Sequence, residues 1–248
     1  MVNKYWLVCV VIGGLFFANC SNSIPEVEVS PVVTDRVIQF SGIDWVVRAT
    51  KDKKEGPGPN LFSASDKNVW VDSEGRLHLK IREEAGYWYC SGVTARRSLG
   101  YGKYTFYVNS DIAILDKNVV AGLFTYLDDD HEIDIEFSKW SIDGNPNAQF
   151  VSQPSTVTGN KQRFDILPNL GPTVHSFDWR EEEIAFSSSC TGDNGQEKSI
   201  YKWIYEGNHV PKKNNEKLKL NLWLFKGQMP SDLKEQEIVI DSVRFTAV

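Results

Sequence analysis

Short apolar runs that alternate with polar residues follow one another from about residue 37 to the end of the chain. A period of two is typical of β-strands that bury one face. The clearest unit is a hairpin, in which Val69–Val71 and Leu77–Ile81 flank a turn at 72–75. Further strands are predicted at 87–94, 104–108, 119–127, 176–179, 184–187, 200–205, 219–225 and 238–247.

Helical signal is almost missing from this region, and only residues 232–236 resemble a short helical turn. Many short strands at regular spacing are typical of a β-sandwich. We find no internal repeat and no composition break that would divide the region. The pattern therefore predicts an all-β fold, a two-sheet antiparallel β-sandwich in one domain.

The segment 131–137, His-Glu-Ile-Asp-Ile-Glu-Phe, alternates without a break. As a strand it sends Glu132, Asp134 and Glu136 to one face and three apolar side chains to the other. Three carboxylates in a row repel one another, so a strand shaped by stability alone would mix in other polar residues. Such a row suits chemistry that needs a protonated carboxyl beside an ionised one. A merely solvated acidic face is the alternative reading of this segment.

Two further segments carry aromatic and amide groups on one face. Asn221 and Trp223 alternate with leucines in 219–225, and Phe124 and Tyr126 share a face in 119–127. Aromatic rings stack on the apolar faces of sugars, while amides bond hydroxyl groups. The alternative reading is a second apolar face covered by the other sheet.

The composition argues against a nucleic-acid partner. The 248 residues carry a formal net charge of -6, with a pI near 5.3, and no run of Lys or Arg stands out. Recognition of nucleic acid depends on clustered positive charge, so no nucleic-acid partner is expected. The hydrophobic share of 41% is enough for a sizeable core.

The N-terminus resembles an export signal. Lys4 precedes an apolar stretch at 5–17, which is shorter than the ~20 residues of a membrane span. Cys20 follows in a segment similar to a bacterial lipobox, although Phe17 and Asn19 depart from the usual residues. We expect a lipoprotein signal at 1–20, lipidation of Cys20, a tether at 21–36 and a folded domain at 37–248. The expected location is the bacterial cell envelope, on the outer membrane, facing the periplasm or the surface. Ordinary secretion and a retained anchor are the alternatives.

Two smaller features leave alternatives open. Cys90 and Cys190 would remain after signal removal, and they could form a disulfide or stay as two buried thiols. The run Asp128–Asp130 could be a solvated turn or could bind a structural Ca²⁺. No other cofactor is indicated.

Several motifs in order resemble glycoside hydrolase family 16, the concanavalin-like jelly roll of lichenases and laminarinases. The matching pieces are Gly-Tyr-Gly at 100–102, Phe-Thr-Tyr at 124–126, Glu-Ile-Asp-Ile-Glu-Phe at 132–137, Phe-Asp-Trp at 177–179 with Ile-Ala-Phe at 184–186, Asn-Leu-Trp at 221–223 and Asp-Ser-Val-Arg at 241–244. The resemblance extends over roughly 41–248. The acidic signature is its most specific piece.

The resemblance implies roles for the acidic row. Glu132 corresponds to the nucleophile of a retaining glycosidase, Glu136 to the general acid/base, and Asp134 to the residue that orients the nucleophile. Retention needs the two carboxyl groups ~5–5.5 Å apart. The implied sugar-binding candidates are Asn60, Trp88, Phe124, Tyr126, Trp140 and Trp223. For Asn60 a turn-stabilising role is an equal alternative, and for Trp88 and Trp140 packing in the core or at the rim.

Two departures from the family pattern affect the substrate. A Trp that many members carry shortly before the first Glu is missing, and residues 149–153 lack the Tyr of lichenases. Mixed-linkage glucan specificity is therefore in doubt, and hydrolysis and transfer to another sugar both stay open. The leading hypothesis is a monomeric retaining endo-glycosidase that acts on a β-linked polysaccharide. The rivals are a non-catalytic glycan-binding surface lipoprotein on the same fold and a structural envelope lipoprotein.

Overall fold

The alternating segments form sixteen β-strands in the part of the chain that the computed structural model describes, residues 35–51, 53–192 and 195–248. The strands are β1 (Val37–Phe40), β2 (Ile43–Val47), β3 (Leu61–Phe62), β4 (Val69–Val71), β5 (Leu77–Glu84), β6 (Tyr87–Ala95), β7 (Gly102–Val108), β8 (Val119–Asp128), β9 (His131–Phe137), β10 (Ala148–Ser152), β11 (Lys161–Phe164), β12 (Thr173–Trp179), β13 (Ile184–Thr191), β14 (Glu197–Tyr205), β15 (Lys217–Leu224) and β16 (Gln236–Ala247). Two 3₁₀ turns, Ile112–Ile114 and Phe225–Gly227, are the helical elements of this part. The predicted all-β class is confirmed.

Two antiparallel sheets share these strands. The first sheet has the order β1-β2-β6-β15-β8-β9-β10-β11, and the second has β4-β5-β16-β7-β12-β13-β14. They connect where Arg82–Glu84 of β5 pairs with Tyr87–Tyr89 of β6, and β3 adds to β6 as a parallel neighbour. The candidate acidic strand β9 is therefore an interior strand of the first sheet.

The core lies between the sheets and takes the apolar face of each strand. Ile133, Ile135 and Phe137 of β9 are almost completely buried. The Phe137 ring lies 4.7 Å from the ring of His175 in the second sheet, and the rings of Phe150 and Phe186 are 4.9 Å apart. Burial of each such side chain contributes about 1.5–3 kcal/mol, so the register of β9 is strongly specified.

His175 is a buried polar residue inside this core. Its two ring nitrogens meet the hydroxyl groups of Ser188 and Thr173, each at 2.8 Å. Burial lowers the pKa of His175 to about 3, so the ring stays neutral. The His175 ring packs between the two sheets, on the core side of β9. The three acids lie on the other side of that strand.

The predicted hairpin is confirmed, and its turn has a clear local cause. The Asp72 carboxylate accepts hydrogen bonds from the backbone N–H groups of Glu74 and Arg76, which closes the turn between β4 and β5. Such side-chain bonds to the backbone are the usual reason for Asp at turns.

The helical turn predicted at 232–236 is wrong. The Asp232 carboxylate accepts from the Lys234 N–H, and Leu233 has a φ of 57°. A leucine in the left-handed region cannot continue a right-handed helix, so the segment forms an irregular turn before β16.

Cys90 and Cys190 are two separate buried thiols. Burial raises the pKa of Cys90 to about 12, which makes its thiolate inaccessible at neutral pH. Of the two alternatives left open by the sequence, the structure favours unpaired thiols.

The compact unit begins at Asp35. The Arg36 guanidinium donates hydrogen bonds to the carbonyl oxygens of Ala64 and Val69. The last two residues of the predicted tether thus belong to the domain surface, whereas Cys20 and the signal at 1–20 lie outside the described residues. Within the described ranges, no helix is long and apolar enough to cross a membrane.

Candidate functional site

The three acids lie in the interior of the first sheet, with strands on both sides. On one side, Tyr126, Phe124 and Gly122 of β8 are the direct neighbours of Glu132, Asp134 and Glu136. On the other side, Val151 and Gln149 of β10 face Asp134 and Glu136. These register pairs put all of these side chains on one face, because neighbours in register share a face. The strict alternation of β9 is what turns the acids away from the core.

A cleft of about 720 Å³ covers this face. The lining comes from β2, β6, β8, β9 and β15, together with residues near 35 and 56. The polar residues that line it are Asp35, Arg48, Thr94, Tyr126, Asp129, Glu132, Asp134, Glu136, Lys219 and Asn221. Phe124 and Trp223 supply its aromatic surface. A concave site with a few converging polar groups is the usual form of a small-molecule or glycan site.

Two amides from the β10 side hold the acids in place. Gln149 donates to a Glu136 carboxylate oxygen at 2.6 Å, and Gln153 donates to Asp134 at 2.9 Å. Arg163 of β11 in turn donates to the Gln149 carbonyl oxygen at 3.1 Å. This series of hydrogen bonds, from Arg163 to Gln149 and from Gln149 to Glu136, fixes the orientation of the Glu136 carboxyl group.

Burial dominates the electrostatics of the acidic row. It raises the pKa of Glu132 to about 8 and raises the pKa values of Asp134 and Glu136 above their ordinary range. The charges of Glu132 and Glu136 raise the Asp134 pKa further. The three carboxyl groups therefore hold their protons to a higher pH than exposed carboxyl groups do.

Hydrogen bonds and nearby cations act in the opposite direction on two of these acids. A hydrogen bond with Asp134 lowers the pKa of Glu132 and raises that of Asp134. The positive charge of Lys219 also lowers the Glu132 pKa. For Glu136, the Gln149 bond and the charge of Arg163 oppose burial. These interactions oppose the effect of burial at Glu132, the acid that must carry charge in a nucleophilic role, and add to it at Asp134.

Asn221 forms part of the cleft floor between two glycines. It pairs in register with Gly92 on one side and Gly122 on the other. A Cβ at Gly122 would come within 2.6 Å of the Asn221 Oδ1 atom. That Oδ1 atom is buried and has no hydrogen-bond partner among the described residues, and the residue is only 5% exposed. A buried amide oxygen without a partner is costly to stability, and this one is packed tightly against Gly122.

The structure brings some of the predicted sugar-binding residues to the acids. Phe124, Tyr126 and Trp223 line the same cleft as the three carboxyl groups. Phe124 is 8% exposed and lies directly beside Asp134, whereas Trp223 is half-buried further along β15. The sequence pattern therefore placed these aromatic side chains on the same face as the acids.

Three other predicted residues lie elsewhere, and these predictions are corrected. The Asn60 amide donates to the backbone carbonyls of Pro57 and Leu224, each at 2.8 Å, which is the turn-stabilising role. Asn60 and Trp88 line a second cleft of about 600 Å³ that none of the three acids lines. Trp140 is buried, with the Arg163 guanidinium 4.1 Å from its ring centre, and does not line the cleft.

The sequence did not single out five polar residues of the site: Arg48, Gln149, Gln153, Arg163 and Lys219. Lys219 shares the alternating face of Asn221 and Trp223, so the same pattern could have identified it. The other four come from strands or loops whose place beside the cleft depends on long-range pairing.

The acidic loop before β9 caps its own turn. The Asp128 carboxylate accepts from the N–H groups of Asp130 and His131, and Asp129 accepts from the Tyr126 hydroxyl. Among the described residues, no group of three or more potential ligands converges in a way that could hold a metal ion.

Solved structures with the same architecture have been identified. The chain is similar to a β-glucanase of Bacillus licheniformis, with a TM-score of 0.62 and 19% identity over 85% of this chain and 95% of that one. It is similar to a β-1,3-1,4-glucanase (lichenase) from a mouse hindgut metagenome, with a TM-score of 0.59, 19% identity and coverage of 82% and 93%. A Mycobacterium tuberculosis protein described as an immunostimulatory antigen and pseudo β-1,3-glucanase gives a TM-score of 0.61, 19% identity and coverage of 82% and 91%.

No family model matches the chain. No curated protein matches it either. The structural similarity at this level of identity therefore establishes the jelly-roll fold, which is shared with glucanases, and leaves the activity to be argued from the site.

Proposed function

We propose that the protein is a retaining endo-glycosidase that cleaves a β-linked polysaccharide. The observation that carries this proposal is the row of three carboxyl groups on one face of β9, with Asp134 buried and Glu132 and Glu136 half-buried, at the floor of a cleft with aromatic walls. Two carboxyl groups with different proton states are the requirement of glycoside hydrolysis. The fold, which the chain shares with β-glucanases, supports the same conclusion.

In this proposal Glu132 attacks the anomeric carbon and Glu136 protonates the departing glycosidic oxygen. The bond from the anomeric carbon to that oxygen breaks as the bond to Glu132 forms. Glu136, now a carboxylate, takes a proton from water, which then releases the sugar from Glu132 with net retention. Asp134 holds Glu132 through their hydrogen bond.

The remaining cleft residues fit a bound sugar chain. Phe124, Tyr126 and Trp223 offer ring surfaces for stacking, and the NH₂ group of the Asn221 side chain can donate to a hydroxyl group. An open cleft rather than a closed pocket suits internal cleavage of a long chain. We propose the β-linked glycan class from this shape and from the fold, without assigning the linkage.

The test is release of reducing ends by the purified chain from residue 21 onward, which retains Asp35 in the cleft wall. The substrates are laminarin, mixed-linkage glucan, xyloglucan, agarose and carrageenan. We expect cleavage of at least one, loss of activity in Glu132→Gln, and normal activity in Glu182→Gln, which changes an exposed glutamate in the turn after β12. A first product of inverted anomeric configuration, or full activity of Glu132→Gln, would contradict the proposed mechanism.

A second candidate, a non-catalytic glycan-binding protein on the same fold, is favoured by one observation. The pKa of Glu132, raised to about 8, leaves most molecules with a neutral Glu132 at pH 7 when the cleft is empty. A similar fold is described for a pseudo β-1,3-glucanase. Binding of a polysaccharide by the native chain without release of reducing ends between pH 5 and 9 would select this candidate.

We further propose that Cys20 is lipidated and anchors the domain to the bacterial cell envelope. The argument is the apolar stretch at 5–17 followed by the lipobox-like segment, with a polar tether behind it. Labelling of cells with a fatty-acid probe should mark the native chain, and the Cys20→Ser variant should lose both the label and membrane association. Equal labelling of the two chains would contradict the anchor.

A further inference from the structure

Lys219 lies in the middle of the cleft floor, two strands away from the acids. On β15 it pairs in register with Thr94 of β6 on one side and with Phe124 of β8 on the other. Phe124 in turn pairs with Asp134. With neighbouring strands about 4.8 Å apart, the Cα atoms of Lys219 and Asp134 lie roughly 10 Å apart.

The Lys219 ammonium group forms no close ion pair, and the charge of Glu132 acts on it from a longer distance. No carboxylate of the described residues forms an ion pair with it, and its Nζ atom instead lies 4.0 Å from the centre of the Tyr126 ring. Arg48 lines the same cleft, and its positive charge, together with burial, lowers the pKa of Lys219. Arg48 itself pairs with Glu55 at 3.4 Å, so Lys219 is the cation of this cleft whose ammonium group has no close ion pair among the described residues.

The cation on the other side of the acids is arranged differently. Arg163 donates to Gln149, stacks on Trp140 at 4.1 Å, and its charge acts on Glu136. Arg163 is thus engaged with a neighbouring amide and a ring outside the cleft lining. Lys219 makes one contact with an aromatic ring, so most of its hydrogen-bonding capacity is open to the cleft.

The charges of the cleft also determine where an anion would be accepted. Asp35 and Asp129 are the acidic lining residues outside β9, and each repels an anionic polymer. Arg48 and Lys219 are its two cationic lining residues within the described part of the chain. An anionic group would therefore be accepted at the end where β2 and β15 contribute, and rejected near β9.

We propose that Lys219, with Arg48 beside it, binds an anionic substituent of the sugar that lies over Phe124. The substituent is a carboxylate or a sulfate ester, and the substrate is accordingly an anionic polysaccharide. This inference rests on the proposed function, because it assigns the sugar to the cleft next to the catalytic acids. A ring that stacks on Phe124 lies between Asp134 and Lys219, so a substituent on the edge away from the acids faces the lysine.

The test compares polymers that differ only in charge. Laminarin and agarose, each neutral, carboxymethylated and sulfated, are titrated calorimetrically into the Glu132→Gln chain. We expect at least one anionic derivative to bind about 10–100-fold more tightly than its neutral parent, the range of a hydrogen bond to a charged group. The carboxymethylated and sulfated arms identify which anion is preferred.

Substitutions then assign the preference to one residue. Lys219→Met should abolish the difference between charged and neutral polymers, and Lys219→Arg should preserve it. Lys217→Met is the matched control, because Lys217 lies on the same strand and face but does not line the cleft. Melting temperatures of all variants verify that they fold.

The outcomes separate this inference from the proposed function. Equal affinity for neutral and charged polymers, or a preference that survives Lys219→Met, overturns the inference even if the native chain cleaves a neutral glycan. Selective binding of an anionic polymer that the native chain never cleaves supports the inference and contradicts hydrolysis. Neither binding nor cleavage of any polymer contradicts both.

Discussion

The two sides of the acidic row differ in how their polar groups are used. On one side, which we term the positioning side, Gln149, Gln153 and Arg163 bond to one another or to the acids. On the other, the binding side, Asn221 and Lys219 lie in the cleft without such partners among the described residues. Satisfied groups rigidify the structure, whereas unsatisfied buried groups cost stability. The difference indicates that one side orients the carboxyl groups and the other is reserved for the ligand.

The largest effect on activity should come from substituting Glu136, the acid that the positioning side holds. In the Glu136→Gln variant the amide cannot donate a proton to the leaving group, so we expect kcat/KM on the polysaccharide to fall about 10²–10⁴-fold. Initial-rate kinetics measure this loss. An activated aryl glycoside, whose leaving group needs no proton, should lose much less in its first step. Equal losses on both substrates would argue against an acid role for Glu136.

A smaller effect should follow from breaking the positioning side itself. Gln149→Leu removes the bonds to Glu136 and Arg163, so we expect kcat to fall about 10–100-fold with KM little changed. The pH dependence of kcat should shift as well, because the Gln149 bond lowers the Glu136 pKa. Loss of this hydrogen bond should raise the Glu136 pKa, so the limb of the kcat pH profile that reports Glu136 should move to higher pH.

The matched control for Gln149 is Gln162→Leu on the neighbouring strand β11, whose side chain lies on the other face. We expect this variant to keep the native kcat and pH profile. If Gln149→Leu raises KM and leaves kcat unchanged, Gln149 belongs to the binding side instead.

The acids should also lower stability at high pH. Burial raises the pKa of Glu132 from 4.5 to about 8, so the folded chain holds a proton that the unfolded chain releases between these values. The unfolded state then binds fewer protons, and the free energy of unfolding falls as pH rises through this window. Glu132→Gln has no such proton, so we expect it to be more stable than the native chain at pH 8, by at most about 4 kcal/mol.

Urea unfolding at pH 4 and pH 8 measures this effect. At pH 4, below both pKa values, the native chain and Glu132→Gln should differ little. A gain in stability of the same size at both pH values would show that packing, rather than the carboxyl proton, is responsible.

The smallest effect should come from the binding side. Asn221→Ala removes an amide oxygen that has no partner inside the described protein, so no internal hydrogen bond is lost. We expect KM to rise about fivefold, with kcat and melting temperature close to native. A marked loss of stability would instead show that the amide supports the floor between Gly92 and Gly122.

The sequence predicted the elements whose pattern is local. The alternation of β9 put Glu132, Asp134 and Glu136 on one face, and the same period placed Phe124, Tyr126 and Trp223 on the cleft side. It failed at residues 232–236, where Leu233 takes a φ of 57° that the helical pattern does not reveal. It also could not separate a free from a paired state of Cys90 and Cys190, which depends on their distance in space.

The location of isolated aromatic and amide residues was the weakest part of the prediction. Trp88 lies in the first half of β6, which pairs with β5 and lines the second cleft, whereas Gly92 of the same strand pairs with Asn221 at the acidic cleft. Trp140 follows the end of β9 in a turn with a φ of 50° and packs under Arg163. Nothing in the local pattern distinguishes these positions from cleft positions.

By itself, the sequence determined the all-β fold, the acidic row and the face on which each strand carries its polar side chains. These follow from a period of two, which the backbone of a single strand enforces. Only the tertiary structure decided which strands lie side by side, and so which amides hold the acids and which cations share the cleft. Gln149 reaches Glu136, and Lys219 reaches the cleft beside Arg48, through pairing between distant segments, and that pairing is set by burial of the opposite faces in a common core.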